Sequence, residues 1–163
     1  MNAIGTEKDS KQAIYWYEIA ANQGHQTAKS ALNVYKLRID AEQGNAIAQN
    51  RLGDSYFFGE GVQQEFRQAV YWYEKAANQG NATAQYNLGI CYRTGKGVNE
   101  DQQQAEYWFR KAASRGNKAS KESLKSMKRI KNASNSSVHA SQGSGCLIPM
   151  IIFICVIGAI YLL

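Results

Sequence analysis

A period of 36 residues runs through most of this chain and constrains its fold more than any single motif. The segment QAVYWYEKAANQGNATAQYNLGICYRTGKGV, starting at Gln68, returns as QAEYWFRKAASRGNKASKESL from Gln104. Upstream, KQAIYWYEIAANQGHQTAKSAL starts at Lys11 and AEQGNAIAQNRLGDSYFFGEGV at Ala41. The turn glycines Gly44, Gly80 and Gly116 stand 36 residues apart, and the loops Gly59–Val62 and Gly95–Val98 hold the same register.

Within a unit the apolar spacing is helical. Ala69, Trp72, Tyr73, Ala76 and Ala77 fall on one face of a first helix, and Ala84, Leu88, Cys91 and Tyr92 on one face of a second. Gly80 ends the first helix, and Asn81 is placed to cap the next. The Gly-x-Gly-Val loop then resets the chain for another pair. Alanine and glycine at the crossings permit close approach, while a Trp and a Tyr or Phe fill the space between pairs. One pair alone cannot bury these faces, whereas stacked pairs can.

The combined pattern, A-x-x-W-Y/F-x-x-A-A-x-x-G followed by N-A-x-A-Q-x-x-L-G-x-x-Y-x-x-G-x-G-V, resembles the Sel-one-like repeat family, which is similar to tetratricopeptide repeats. Ala69–Gly80 and Asn81–Val98 match it almost throughout, and the likeness extends from about Gly5 to Ile130. The resemblance implies an all-α fold: a short right-handed α/α solenoid of about three helix-hairpin repeats. It also implies a curved surface used as an adaptor for assembling membrane or signalling complexes. Cysteine-rich secreted members, credited with β-lactam-type chemistry, carry a Cys pair in each repeat; here the repeats hold only Cys91, so that activity is not implied.

The chain departs from the pattern at two places. Gly24 and Gly44 are only 20 residues apart, so 16 residues of a unit are missing, and Gln26–Glu42 reads as one fused helix with irregular packing around residues 26–44. Gly5–Ala13 resembles the end of a repeat loop, so the chain starts inside a unit and its first helix needs an unusual cap or further chain to cover it. His25 stands where the other units have Asn45, Asn81 and Asn117, which suggests a capping or turn role.

Charge is distributed unevenly. Residues 1–109 carry ten Lys and Arg against twelve Asp and Glu, a net of −2. Residues 110–163 carry nine against one, a net of +8. The total of +6 is therefore local and does not mark the whole chain as a nucleic-acid binder. The last unit concentrates this charge on a polar outer face that suits a capping helix, with Lys121, Lys125, Lys128, Arg129 and Lys131 placed to meet a membrane surface and anionic lipid headgroups.

Beyond the repeats, assigned to residues 1–131, the Ser-, Asn- and Gly-rich stretch 132–145 reads as a flexible linker. Residues 146–163 (CLIPMIIFICVIGAIYLL) hold no charged side chain. As a helix they extend roughly 27 Å, near the ~30 Å of a hydrocarbon core, and read as one C-terminal transmembrane helix. Basic residues before the span and none after it place the repeats on the cytosolic side of a single-pass, tail-anchored protein. A bacterial inner membrane and an organelle or host membrane both fit.

Nothing in the chain assembles chemistry. There is no P-loop, no G-x-S-x-G and no Cys/His spacing suited to a metal, and the GEG and GKG glycines recur as loop punctuation. Neither cofactor nor metal is implied. The reading is a non-catalytic, membrane-tethered protein–protein interaction scaffold. Its expected contact face on an as yet unidentified protein partner is Gln68, Tyr71 and Lys75 with their repeats Gln104, Tyr107 and Lys111. The alternatives are an enzyme of unspecified reaction and RNA or anionic-lipid binding through residues 110–131. No aromatic residue is interleaved with that Lys/Arg run, so no nucleic acid is expected.

Overall fold

The computed structural model describes residues 7–143, all of whose elements are helices. In chain order they are α1 (Glu7–Asn22), α2 (Gln26–Glu42), α3 (Ala46–Phe58), α4 (Phe66–Asn78), α5 (Ala82–Thr94), α6 (Gln102–Ser114) and α7 (Lys118–Gly143). The chain divides into two compact units, residues 1–124 and 125–163.

In the first unit α1 to α6 pack successively, each on the next, and the most extensive packing lies between α3 and α4 and between α5 and α6. The reason is a ring seated on a glycine. Gly53 of α3 faces the Tyr73 ring of α4, where an added Cβ would lie 2.6 Å from Cδ1 and Cε1. One repeat later, Gly89 of α5 faces the Phe109 ring of α6 at 2.7 Å. Any side chain on these glycines would hold the helices apart. Around the seats Ala69, Ala76, Ala84, Leu88, Ala105 and Ala112 are fully buried.

The turns repeat as closely as the cores. Asn45 accepts from the backbone N–H groups of Ile47 and Ala48, Asn81 from Ala84 and Asn117 from Ser120. These bonds satisfy N–H groups that a helix start otherwise leaves orphaned. The glutamine of the N-A-x-A-Q motif has a matching task. Gln49 Nε2 donates to the Ala41 carbonyl and Gln85 Nε2 to the Ala77 carbonyl, so each satisfies the last turn of the preceding helix. Gly97 (φ +77°) packs its Cα against the Phe66 carbonyl, which leaves no room for a Cβ.

The shortened spacing yields one helix, as the sequence suggests. α2 is uninterrupted and serves two neighbours. It starts in the register of a second helix, burying Ala28 as α5 buries Ala84, and ends in the register of a first helix, burying Val34, Leu37 and Ala41 as α4 buries Val70, Tyr73 and Ala77. The exposed face of this unit is on α1, which has no helix before it among the described residues. Trp16 and Tyr17 are 65% and 46% exposed, while their repeats Trp72 and Tyr73 are at 7% and 2%. Trp72 and Tyr73 are covered from the preceding side, Trp72 by Val34, Leu37, Ala48 and Leu52 and Tyr73 by Gly53, whereas on α1 Ala21 is buried and Ala13 exposed.

His25 takes the expected turn position, at the N-cap of α2 with extended backbone, although its side chain makes no cap hydrogen bond. An imidazole is bulkier than a carboxamide and lacks the short carbonyl arm that reaches the N–H groups. The stretch 132–143 continues α7 instead of leaving the helix at Lys131. No Gly or Pro interrupts residues 118–142, and extending an existing helix costs far less than starting one, so Ser and Asn are carried along. Among the described residues no helix is long and apolar enough to cross a membrane, and the span expected at 146–163 lies outside them.

Candidate functional site

The expected contact face forms two copies of one local arrangement. On α4, Tyr71 is 46% exposed and meets the Trp72 ring edge-on, with centroids 5.0 Å apart. Lys75, one turn further on, places Nζ 4.7 Å from the Tyr71 centroid and 5.2 Å from that of Trp72. On α6, Tyr107 is 48% exposed, its centroid is 5.1 Å from that of Trp108, and Lys111 Nζ lies 4.7 Å and 5.0 Å from the two rings.

Spacing explains the geometry. Residues i and i+4 share a helix face, so Lys reaches back over Tyr, while Trp at i+1 turns into the core and supports the tyrosine from behind. Each lysine–ring contact contributes about 0.5–1 kcal/mol at an exposed site and holds the aromatic surface in one orientation. Each patch is amphipathic, an exposed aromatic ring with a cation over it, a type of side chain enriched at interfaces. Gln104 is exposed beside the second patch, whereas Gln68 is half-buried and offers less. The sequence reading omitted Trp72 and Trp108, the supports, although their repeat position was visible. Lys121, Lys125, Lys128, Arg129 and Lys131 are all exposed on α7.

A second feature was missed altogether. Between α3, α4 and α5 a polar network is centred on Asp54. Its Oδ1 accepts from Tyr73 Oη at 2.8 Å and from Asn87 Nδ2 at 3.0 Å, and its Oδ2 accepts from Asn50 Nδ2 at 3.1 Å. Asn87 Nδ2 also reaches Asn50 Oδ1 at 3.2 Å. Burial pushes the Asp54 carboxyl above its ordinary value, with Glu60 adding to the rise and the Tyr73 hydrogen bond opposing it. Burial and the neighbouring carboxylate push the Tyr73 hydroxyl up as well. The signal was available: 36 residues on, Asp54 becomes Ile90 and Tyr73 becomes Phe109, so the repeat itself needs neither polar group.

Among the described residues no group of His, Cys, Asp and Glu is placed to hold a metal. Cys91 is buried and free, and burial pushes its thiol up to about 12, well away from nucleophilic character.

The repeat geometry agrees with comparisons to known proteins. The family model for the Sel1 repeat matches residues 1–25, 46–81 and 82–117. The chain belongs to the Sel1 repeat family. The gap in the match, residues 26–45, coincides with α2 and its turn, where one helix stands in for parts of two. Among solved structures, a Sel1 repeat protein from Oxalobacter formigenes is 36% identical with a TM-score of 0.58, covering 71% of this chain and 38% of its own. A protective antigen of uropathogenic Escherichia coli strains with an SLR fold is 33% identical with a TM-score of 0.55, covering 67% and 27%. Helicobacter pylori cysteine rich protein B is 26% identical with a TM-score of 0.55, covering 76% and 100%. This Sel1 repeat chain thus spans less than two thirds of the length of the first two relatives. Curated protein sequences give no match. Sel1 repeat proteins are in general protein-interaction scaffolds.

Proposed function

We propose that this Sel1 repeat chain is a non-catalytic adaptor that binds a protein partner through the Tyr71–Lys75 and Tyr107–Lys111 patches. The observation that carries the reading is their repetition: two exposed tyrosines, each backed by a tryptophan and covered by a lysine, in the same register. Repeated rigid aromatic patches give one partner two anchors, and two linked weak contacts bind more tightly than either alone. Changing Tyr71 and Tyr107 together to Ala should abolish partner capture in a pull-down while leaving helical circular dichroism intact. Undiminished capture by the folded double variant would reject this face.

We further propose that residues 146–163 tether the repeats to a membrane on its cytosolic side, with the basic residues of α7 resting on anionic headgroups. The charge-free run of 18 apolar residues and the exposure of Lys121, Lys125, Lys128, Arg129 and Lys131 support this. Fractionation of cells expressing the full chain, with and without residues 146–163, tests the tether. Recovery of both forms in the soluble fraction would reject it.

A further inference from the structure

The Asp54 network lies at a cavity of about 240 Å³ on the α3 and α5 side of the repeats, lined by Asp54, Phe57, Phe58, Tyr73, Asn87 and Ile90 together with Tyr86. These helices are not the ones that present Tyr71 and Tyr107. The cavity is smaller than the roughly 300–1,000 Å³ of a drug- or cofactor-sized site, and it suits one side chain. Its walls are aromatic and its polar end is a carboxylate. Phe58, 63% exposed, offers a ring on this open side.

No Lys, Arg or His among the described residues comes within ion-pair distance of Asp54. Lys96 is engaged over the Phe57 and Phe66 rings, and Arg93 lies over Phe109. Glu60 adds negative potential and Arg51 offsets part of it. Three neutral donors hold the carboxylate in place, an arrangement the adjoining repeat omits entirely. There Ile90 and Phe109 occupy the positions of Asp54 and Tyr73, and Phe109 still seats on its glycine. The polar groups are therefore not needed for stacking.

We propose that this cavity binds the ammonium group of a lysine side chain presented by a protein partner. Lysine is favoured over arginine by a count of lone pairs. Oδ1 already accepts twice, from Tyr73 and Asn87, and Oδ2 once, from Asn50, which leaves one acceptor site. A guanidinium fork needs both oxygens, whereas an ammonium needs one. The aromatic walls add attraction for the cation and shelter the lysine stem. The inference rests on the adaptor reading and adds to it a second contact, chemically distinct from the tyrosine patches.

The test is a titration of the isotope-labelled full chain, kept in neutral detergent, with Nα-acetyl-lysine N-methylamide. The norleucine and arginine analogues supply the uncharged stem and the guanidinium. Saturable amide shifts at Phe58, Asn87 and Ile90 are expected, with the lysine probe binding at least about tenfold more tightly than either analogue. Asp54→Asn should weaken the lysine probe by about tenfold or more. Tyr73→Phe, which copies Phe109 and so keeps the stack, frees a lone pair on Oδ1 and should narrow the preference for lysine over arginine. Equal binding of norleucine, equal or tighter binding of arginine to the unaltered chain, or indifference to both substitutions would overturn the proposal. The Tyr71→Ala/Tyr107→Ala variant should bind the lysine probe as before. Loss of partner capture in that variant together with absent probe binding would remove this inference and leave the adaptor reading standing.

Discussion

Gly89→Ala isolates the contact that stacks one repeat on the next. In the middle of α5 the change gains about 1 kcal/mol of helix propensity, because Ala loses less backbone entropy than Gly. Against that gain stands the Phe109 ring. The new methyl would lie 2.7 Å from Cδ1 and Cε1 and 3.2 Å from Cζ, where carbon–carbon contact settles at about 3.5–4.0 Å. The ring must retreat by roughly 1 Å, yet it is fully buried, with the Tyr86 ring centroid 5.7 Å and the Arg93 guanidinium 5.6 Å from it. Overpacking of this kind costs typically about 1–3 kcal/mol and more where a backbone must move. With two ring carbons inside 3 Å the cost falls at the upper end, about 3 kcal/mol, so the steric term wins and a net loss of about 2 kcal/mol is expected, or a fall in Tm of roughly 4–8 °C at this size. Urea denaturation followed by far-ultraviolet circular dichroism reads it. Phe109→Leu in the same chain should recover most of the loss by reducing the ring, giving a coupling above about 0.5 kcal/mol in a double-mutant cycle. A higher Tm for Gly89→Ala alone, or additivity in the cycle, would refute the ring-on-glycine account.

Other consequences are open to measurement. Burial holds the Asp54 carboxyl above its ordinary 3.8, so its proton is bound more tightly in the folded chain; the associated stability is present below that value and is lost as pH rises through the raised one. Asp54→Ile with Tyr73→Phe, which copies the neighbouring seam, should therefore gain Tm relative to the unaltered chain as pH rises above 3.8, and a difference that is flat with pH would contradict this. Asn81→Ala should cost about 1 kcal/mol in urea denaturation, since its side chain caps α5, and no change would show that water replaces the cap. Cys91, alkylated in a chain carrying Cys146→Ser and Cys155→Ser, should react only on unfolding, because burial pushes the thiol up to about 12; reaction at the rate of a free thiol would show that α5 opens readily.

The sequence exposed whatever the repeat uses more than once. Helix faces, turn glycines, asparagine caps and the Tyr–Lys spacing all recur at 36 residues, and each is local in the chain, so periodicity placed them correctly. The fused α2 was also legible, because a shortened glycine spacing leaves no length for two helices. Features without a second copy were harder to see. Asp54 looks like any helix-surface acid until Tyr73, 19 residues away, and Asn87, 33 away, are brought against it. For His25 the repeat indicated its place at the N-cap, while the reach of its side chain decided that it makes no cap hydrogen bond. The helix through residues 132–143 escaped a reading based on composition, since composition reports what starts a helix better than what lets one continue.

The glycine beneath each ring has a consequence for how such a chain diversifies. It anchors the inner edge of Tyr73 or Phe109 through shape alone, so the para position carries no mechanical duty and can gain or lose a hydroxyl freely. The neighbouring position on the preceding helix, Asp54 in one repeat and Ile90 in the next, is equally unconstrained by stacking. The two seams, Gly53 on Tyr73 and Gly89 on Phe109, thus share a joint and differ in the adjacent slot. A lineage can rewrite what one seam recognises without renegotiating whether the array folds, and it can do so at one seam while the others stay silent.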